Sequence, residues 1–224
     1  SDLLEPGSVF KTASIMTALD DGVVDTNYQV NTGSGVWPMY GREMKDHNWR
    51  RGGYGVLTLP QTLMVSSNIG VSRIIDDHYR NDPEKFIRGI YRTGLADNLR
   101  IPLVGASPAR IRMPKKNERG EWVNWSHTAL PWMSIGYETQ VPPISTLTFY
   151  NAIANNGKMM RPRFVKEVVK NGEVIMKFPP EVMRAHICKE KTLREIQTIL
   201  DHVVSQGLGK KAGSPLFRVA GKTG

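Results

Sequence analysis

The sequence lacks several features that mark common protein classes. It has one cysteine, Cys188, among 224 residues, which excludes an internal disulfide and a cysteine-based zinc site. No two of its five histidines have the i, i+4 spacing of a helical metal site. No apolar run approaches the roughly 18 residues needed to span a bilayer, and the first residues do not resemble a signal peptide. We therefore expect no metal and no cofactor, and we expect any membrane anchor to lie outside these residues.

The excess of positive charge does not identify a partner by itself. The formal net charge is +9, which favours anionic partners such as nucleic acid, anionic lipid or acidic wall polymers. The basic residues are dispersed among acidic ones, and no basic and aromatic residues combine into an RNA-binding motif. We interpret them as solvated faces and expect no nucleic-acid partner.

Helical patterns are frequent in the sequence. With 40% apolar residues, the chain can bury a core in one domain or two small lobes. The apolar spacing and the end signals predict helices from Ser8 to Gly22, from Thr58 to Ser66, and over Ile69–Tyr79, Pro83–Thr93, Pro143–Asn155 and Thr192–Ser205.

Between the helices, glycine and β-type runs predict short strands. Residues 23–57 are predicted to form a hairpin-rich insertion. Asn171-Gly172 is the strongest hairpin signal, and it predicts a turn between strands at 164–169 and 173–178. Residues 216–221 are predicted as a strand that leads into Lys222.

Ser8 and Lys11 form the first candidate catalytic pair. They stand three residues apart at a predicted helix start, so their side chains project from nearly the same face. A serine hydroxyl is a weak nucleophile until a base takes its proton, and lysine is such a base only when its pKa falls well below about 10.4. Taken alone the pair is a weak signal, because a capping serine beside a solvated lysine gives the same spacing.

Two further motifs carry related chemistry. Ser66-Ser67-Asn68 offers a hydroxyl for proton relay and an amide for a substrate carbonyl, although an ordinary capping turn has the same composition. Lys222-Thr223-Gly224 places a cation and a hydroxyl beside a glycine, which suits recognition of a carboxylate on an extended peptide. An exposed strand end explains this motif equally well in isolation.

In this order, the three motifs resemble those of the penicillin-recognising serine acyltransferases. The flanking residues, including Glu5-Pro6-Gly7, Ser134-Ile135-Gly136-Tyr137 and Val219-Ala220-Gly221, are similar to class B, monofunctional penicillin-binding proteins. Asn68 favours the cell-division branch, since elongation-type relatives commonly carry Asp there. The resemblance covers essentially the whole chain.

The resemblance implies an α+β fold of the penicillin-binding-protein and β-lactamase type. Residues 1–224 would form a partial transpeptidase domain, mostly the helical lobe plus the start of the Lys-Thr-Gly strand, with most of the antiparallel sheet missing. We expect these residues alone to acylate at least about a hundredfold more slowly than a complete domain, because one oxyanion-hole donor is lost. Residues 138–143 replace a shorter, glycine-containing turn of the family, so we expect the groove wall to differ there.

The resemblance also implies a function, that of a peptidoglycan D,D-transpeptidase. Such an enzyme forms a serine acyl-enzyme with D-alanyl-D-alanine stem peptides, joins them to an acceptor amine, and is a covalent target of β-lactams. The implied catalytic residues are Ser8, Lys11 and Ser66, and the implied substrate-binding residues are Asn68, Lys222, Thr223 and Gly224.

In these implied roles, Ser8 attacks the D-alanyl-D-alanine carbonyl, and Lys11 takes the proton of the Ser8 hydroxyl. Ser66 with Lys222 then relays a proton to the leaving D-alanine. A positive charge on Lys222 would lower the pKa of Lys11.

The resemblance places the protein in the cell envelope, on the outer, periplasmic side of the cytoplasmic membrane, with other division proteins as partners. Three alternatives stay open: a D,D-carboxypeptidase, a β-lactamase, and a non-catalytic division scaffold. The Glu-x-x-Leu-Asn stretch typical of class A β-lactamases does not occur, which favours a long-lived penicilloyl ester.

Overall fold

Helices form most of the regular structure. The computed structural model describes residues 2–224, and 37% of the structure is helical. The α-helices of this part are α1 (Lys11–Asp20), α2 (Leu59–Met64), α3 (Asn68–Tyr79), α4 (Pro83–Arg92), α5 (Ala129–Ser134), α6 (Pro143–Ala154) and α7 (Glu190–Ser205). None of the helices in residues 2–224 combines the length and apolar character needed to cross a membrane.

The helix signals of the sequence are confirmed at most ends. A 3-10 turn, Gly7–Phe10, leads into α1, and Gly22 follows the helix with φ +69°. Thr58 caps α2 in a capping box with Gln61, because the backbone N–H of Thr58 donates to Gln61 Oε1 at 2.9 Å and that of Gln61 donates to Thr58 Oγ1 at 3.4 Å. Helix α5 was not predicted from the sequence.

The strands are short and antiparallel. Within residues 2–224 they form four two-stranded sheets: β1 (Gln29–Asn31) with β4 (Val56–Thr58), β2 (Val36–Met39) with β3 (Arg42–Lys45), β5 (Met159–Met160) with β8 (Val182–Arg184), and β6 (Glu167–Lys170) with β7 (Glu173–Lys177). The hairpin at Asn171-Gly172 is confirmed, since both turn residues have positive φ, +51° and +81°. That residues 23–57, which contain β1 to β3 and part of β4, are an insertion stays a prediction.

The predicted strand over residues 216–221 is wrong. This segment has no strand conformation, and no other part of residues 2–224 pairs with it. A strand is stable only beside a hydrogen-bonded neighbouring strand. The apolar pattern of residues 216–221 does not determine whether such a neighbour is present. The segment is held instead by the N–H of Gly221, which donates to Leu200 O at 3.1 Å, and by an ion pair between Arg218 and Asp201.

Helix α1 lies at the centre of the core. Its residues from Lys11 to Leu19 are all buried, and α3, α4 and α7 pack around it. Helix α4 approaches closely because Gly89 faces Thr17, where an added Cβ would lie 2.1 Å from Thr17 Cγ2. Because α1 is buried on all sides, its first residue, Lys11, lies in the protein interior.

Candidate active site

The turn that carries Ser8 is fixed from two sides. The backbone N–H of Gly7 donates to Gly136 O at 3.1 Å, and the Tyr150 hydroxyl donates to Val9 O at 2.8 Å. Ser8 itself is half-buried, and its hydroxyl has no hydrogen-bond partner within residues 2–224. The structure therefore fixes the backbone at Ser8 and leaves the Ser8 hydroxyl without a hydrogen bond to another side chain.

Lys11 is fully buried, and its amine meets the second motif. Lys11 Nζ donates to Ser66 O at 2.8 Å, to Ser66 Oγ at 3.2 Å and to Asn68 Oδ1 at 2.7 Å. The pKa of Lys11 is lowered from its ordinary 10.5 to about 7, mainly by burial and next by the charge of Lys222, while the charge of Asp46 acts in the opposite direction. A large share of the protein near neutral pH therefore carries Lys11 as a free amine.

Ser66 lies between two lysines. Lys222 Nζ donates to Ser66 Oγ at 2.8 Å, and this is the oxygen to which Lys11 Nζ donates at 3.2 Å. Burial lowers the pKa of Lys222 to about 8. Ser66 has a φ of +52°, a left-handed conformation that costs a non-glycine residue about 1–2 kcal/mol and is common at functional sites. One hydroxyl thus connects two amines, which is the arrangement a proton relay requires.

Its neighbour Ser67 is an ordinary helix cap. Ser67 Oγ accepts the N–H of Gly70 at 2.8 Å and donates to Asp46 Oδ2 at 2.7 Å. Asp46 is buried, and its other oxygen accepts the N–H of Ile69 at 3.0 Å. Ser67 is therefore a helix cap, whereas the Ser66 hydroxyl accepts hydrogen bonds from the two lysines.

Asn68 is oriented by both ends of its amide. Its Nδ2 donates to Lys45 O at 2.8 Å while its Oδ1 accepts from Lys11. Strand β3, which ends at Lys45, therefore decides which way the Asn68 amide points.

The third motif reaches the same place from the C-terminal segment. Lys222 Nζ donates to Thr223 O at 2.9 Å and to Thr223 Oγ1 at 3.2 Å, in addition to Ser66. A Cβ added at Gly224 would lie 3.0 Å from Val9 Cγ1, so Gly224 sits against the residue that follows Ser8. Hydrogen bonds thus join five of the seven residues singled out from the sequence: Lys11, Ser66, Asn68, Lys222 and Thr223. Gly224 lies against Val9, the residue next to Ser8, and Ser8 stands three residues before Lys11.

Comparison with known proteins decides the family. The family model of the penicillin binding protein transpeptidase domain matches residues 1–224, the whole chain. The chain belongs to this family. The family resemblance and the α+β fold class predicted from the motifs are therefore confirmed.

Curated relatives agree with this assignment. The chain is 29% identical to the probable peptidoglycan D,D-transpeptidase PbpC of Pseudomonas aeruginosa, covering 100% of the chain and 35% of that protein. It is 30% identical to the peptidoglycan D,D-transpeptidase FtsI of Escherichia coli, covering 100% of the chain and 34% of that protein. The chain thus spans about a third of the length of these relatives.

Solved structures show the same fold. The transpeptidase domain of Burkholderia pseudomallei penicillin-binding protein 3 is 30% identical with a TM-score of 0.78, over 99% of this chain and 60% of that one. The D,D-transpeptidase domain of a peptidoglycan glycosyltransferase from Eggerthella lenta is 26% identical with a TM-score of 0.84, over 100% of this chain and 54% of that one. The transpeptidase domain described here therefore keeps the family backbone at low sequence identity.

Sequence reasoning missed three residues that position this site. Asp46 gives no local signal, because it lies in an irregular glycine-rich stretch 20 or more positions from its partners. Tyr150 has the spacing of an ordinary core residue of α6, and burial raises the pKa of its hydroxyl. Gly136 was part of a family-like run, but its contact with Gly7 joins segments far apart in the sequence.

Gly136→Ala is expected to destabilise the transpeptidase domain by at least about 2 kcal/mol and to slow its reaction with penicillin. Gly136 has a φ of +89°, and an added Cβ would lie 2.0 Å from Gly7 O, so the Ser8 turn must move. Gly41→Ala is the matched control, since Gly41 has a φ of +80° with nothing within 4 Å. Denaturant unfolding and acylation rates measure both effects. Equal losses in the two variants would show that strain alone, and not the Gly7 contact, matters.

Proposed function

We propose that this chain carries the acyl-transfer centre of a peptidoglycan D,D-transpeptidase. The observation that carries the proposal is the Lys11–Ser66–Lys222 arrangement, with donor–acceptor distances of 3.2 and 2.8 Å, together with Ser8, which stands three residues before Lys11 and has a free hydroxyl. It is supported by two relatives, a probable peptidoglycan D,D-transpeptidase of Pseudomonas aeruginosa and a peptidoglycan D,D-transpeptidase of Escherichia coli, which match the chain over its full length.

In the first step, Lys11 in its free-amine form takes the proton from Ser8 Oγ, and the oxygen attacks the penultimate D-alanine carbonyl. The new C–O bond gives a tetrahedral oxyanion, which the free N–H groups at the helix start stabilise. The C–N bond then breaks, and the departing D-alanine nitrogen receives a proton through Ser66 and the two lysines. The product is an ester on Ser8.

In the second step, an acceptor amine attacks the ester carbonyl. An N–C bond forms, the C–Oγ bond breaks, and the proton from the amine returns to Ser8 by way of Lys11. One peptide bond has been exchanged for another, so the energy of the first bond is kept in the cross-link. A β-lactam follows only the first step, because its leaving nitrogen stays attached to the acyl group.

Substrate recognition is assigned to the remaining motif residues. Asn68 holds a substrate amide, and Thr223 with Lys222 holds the terminal carboxylate of the stem peptide. Gly224, which has no side chain, lets the peptide backbone approach next to Val9.

The place of action follows from this function. We propose that the whole protein acts in the bacterial envelope, on the outer face of the cytoplasmic membrane, anchored by a segment outside these residues and in contact with other division proteins. The slower acylation expected for residues 1–224 alone stays a prediction, to be measured by stopped flow against a longer piece of the protein.

The test uses a synthetic stem pentapeptide that ends in D-alanyl-D-alanine, together with an acceptor peptide, and analyses the products by mass spectrometry. Release of D-alanine with a cross-linked product supports transpeptidation. Release of D-alanine with only the hydrolysed peptide would make the enzyme a D,D-carboxypeptidase. No release and no penicillin adduct would make the protein a non-catalytic scaffold.

The pH dependence of acylation should move in opposite directions in two variants. Because Lys11 must lose its proton, the acylation rate rises with pH through the Lys11 pKa of about 7. Lys222→Met removes a like charge and shifts this rise to higher pH, whereas Asp46→Asn removes an anion and shifts it to lower pH. Profiles of kcat/KM for penicillin, each normalised to its maximum, measure the shifts. Movement of both variants in one direction would contradict the assignment of Lys11 as the base.

Lys222→Ala is expected to reduce reaction with a β-lactam carboxylate about tenfold more than reaction with its neutral ester analogue. The reason is that the variant loses one electrostatic partner of the carboxylate in addition to the proton relay. Paired acylation rates for acid and ester measure the difference. Equal losses would assign Lys222 to proton transfer alone, which its bonds to Ser66 and Thr223 also permit.

A further inference from the structure

A pair of hydroxyl groups joins helix α6 to the start of α1. Thr12 belongs to α1 and is fully buried, and Tyr150 belongs to α6 and packs its ring against the core. The two hydroxyl oxygens lie 2.8 Å apart, and the Tyr150 hydroxyl also lies 2.8 Å from Val9 O. Through these contacts, a helix more than 130 positions away in the sequence holds the first residues of α1.

The direction of the two hydrogen bonds follows from the number of protons. A carbonyl oxygen only accepts, so the single hydroxyl proton of Tyr150 is donated to Val9 O. Tyr150 Oη therefore accepts from Thr12, whose hydroxyl is the other possible donor in their contact. The result is a directed chain from Thr12 through Tyr150 to Val9. Each bond of such a chain polarises the next, so the chain is stronger than two separate hydrogen bonds.

This chain touches the neighbours of both members of the first catalytic pair. Val9 follows Ser8 directly, and Thr12 follows Lys11 directly. Tyr150 thus bridges the residue after the proposed nucleophile and the residue after the proposed base. Because one phenol oxygen bonds to both neighbours, it fixes how the two segments of backbone stand relative to each other.

The Ser8 turn depends on this contact because a glycine lies on its other side. The N–H of Gly7 is bound to Gly136 O, but Gly7 has a φ of +61° and an added Cβ would meet nothing within 4 Å, so no packed side chain restrains it. Glycine also has the widest range of backbone conformations. Ser8 is the second residue of the 3-10 turn, where N–H groups have no partner inside the helix. The direction of the Ser8 N–H therefore depends on what holds Val9.

We propose that Thr12 and Tyr150 are positioning residues for the acylation of Ser8. Their hydrogen-bond chain holds Val9 O, and through the backbone it directs the Ser8 N–H toward the place where the substrate carbonyl oxygen becomes an oxyanion. A preorganised donor acts on the charge that develops in the transition state, so its direction matters more for the rate than for binding. This inference rests on the proposed function, because it takes Ser8 to be the nucleophile.

The test measures the rate of acylation and the binding of penicillin separately in three variants. Tyr150→Phe removes the central hydroxyl and keeps the ring, Thr12→Val removes the first hydroxyl and keeps the shape, and the double variant removes both. Tyr79→Phe is the matched control, because the Tyr79 hydroxyl is buried and donates to Asp21 Oδ2 at 2.7 Å, at the opposite end of α1. Stopped flow with benzylpenicillin gives the acylation rate constant and Kd.

Phenylboronic acid is the second probe. Its boron accepts a lone pair of Ser8 Oγ to form a B–O bond, the hydroxyl proton passes to Lys11, and the boron becomes tetrahedral with a negative charge. The adduct resembles the tetrahedral stage of acylation, so its stability depends on the same N–H donors.

We expect Tyr150→Phe to lower the acylation rate constant and the affinity for phenylboronic acid about tenfold each, with the Kd for penicillin unchanged within about twofold. Thr12→Val should lower both about threefold. The double variant should match Tyr150→Phe, because one break already interrupts the chain. The pH midpoint of acylation should stay near the Lys11 pKa of about 7, since the base is not altered.

Two results would overturn the positioning roles. One is an acylation rate constant that is unchanged in Tyr150→Phe and Thr12→Val, and the other is an equal fall in Tyr79→Phe, which would make the loss one of general stability. Thr12→Val keeps the tyrosine, so it tests the chain even if Tyr150→Phe does not fold. The absence of any penicillin adduct in the unaltered protein would instead overturn the proposed function, and the positioning roles with it.

Discussion

Replacing Ser8 with alanine is expected to abolish the covalent penicillin adduct. Ser8 is the only hydroxyl residue in the sequence that has a lysine three positions later. Ser66, the other hydroxyl near the base, already bonds both lysine amines and holds a strained backbone. Loss of the nucleophile leaves no group that can form the ester, so acylation should fall below detection.

Intact mass spectrometry after incubation with penicillin checks this expectation. Ser205→Ala is the matched control, because Ser205 is an exposed serine at the end of α7 and should leave adduct formation unchanged. The variant must also unfold at the same denaturant concentration as the unaltered protein. A penicilloyl adduct on folded Ser8→Ala protein would move the nucleophile elsewhere.

Lys11→Met is expected to slow acylation by about 10²–10⁴-fold while non-covalent binding of penicillin stays measurable. Methionine fills nearly the same buried space, so the substitution removes the base without opening a cavity. It also leaves Ser66 O and Asn68 Oδ1 without a donor, which costs about 1–3 kcal/mol for each buried group. Stopped-flow acylation and equilibrium binding, measured on the folded fraction, separate the two effects.

The same variant has a second readout in the pH dependence of stability. The pKa of Lys11 is about 7 in the folded protein and 10.5 in its ordinary state, so between these values the unfolded chain binds more protons. The contribution of Lys11 to the free energy of unfolding therefore increases as the pH rises from 7 to 10.5. It decreases again as the pH falls toward 7. The Lys11→Met variant should show a smaller rise, because only Lys222, with its pKa lowered to about 8, still contributes to it. Equal loss of binding and acylation, without this pH signature, would indicate misfolding.

Local sequence predicted the parts of the fold whose causes are local. The Thr58 capping box and the Asn171-Gly172 turn depend on residues a few positions apart, and both are present. The strand predicted at residues 216–221 depends on a neighbour, which no local pattern can specify. Helix α5 was missed because six residues that include Pro131 are too few to show a helical period.

In the candidate site, too, features with local causes were predictable from the sequence and contacts between distant residues were not. The spacing of Ser8 and Lys11 is visible in a single helical turn, but the bond from Lys222 to Ser66 joins residues 156 positions apart. Only family resemblance brought these motifs together before the fold was known. Asp46 could not be found in either way, because its role is to fix Ser67 and Ile69 from a separate strand end.

The central claim is that Ser8 is acylated with Lys11 as its base, and peptide mapping of the penicillin adduct tests it most directly. Trypsin cleaves after Lys11, so the penicilloyl group should appear on the tryptic peptide that ends at Lys11, and fragmentation should place it on Ser8. We expect a single adduct at Ser8 whose rate of formation rises through pH 7. An adduct on Ser66, or one at Ser8 whose rate does not change across this pH range, would contradict it.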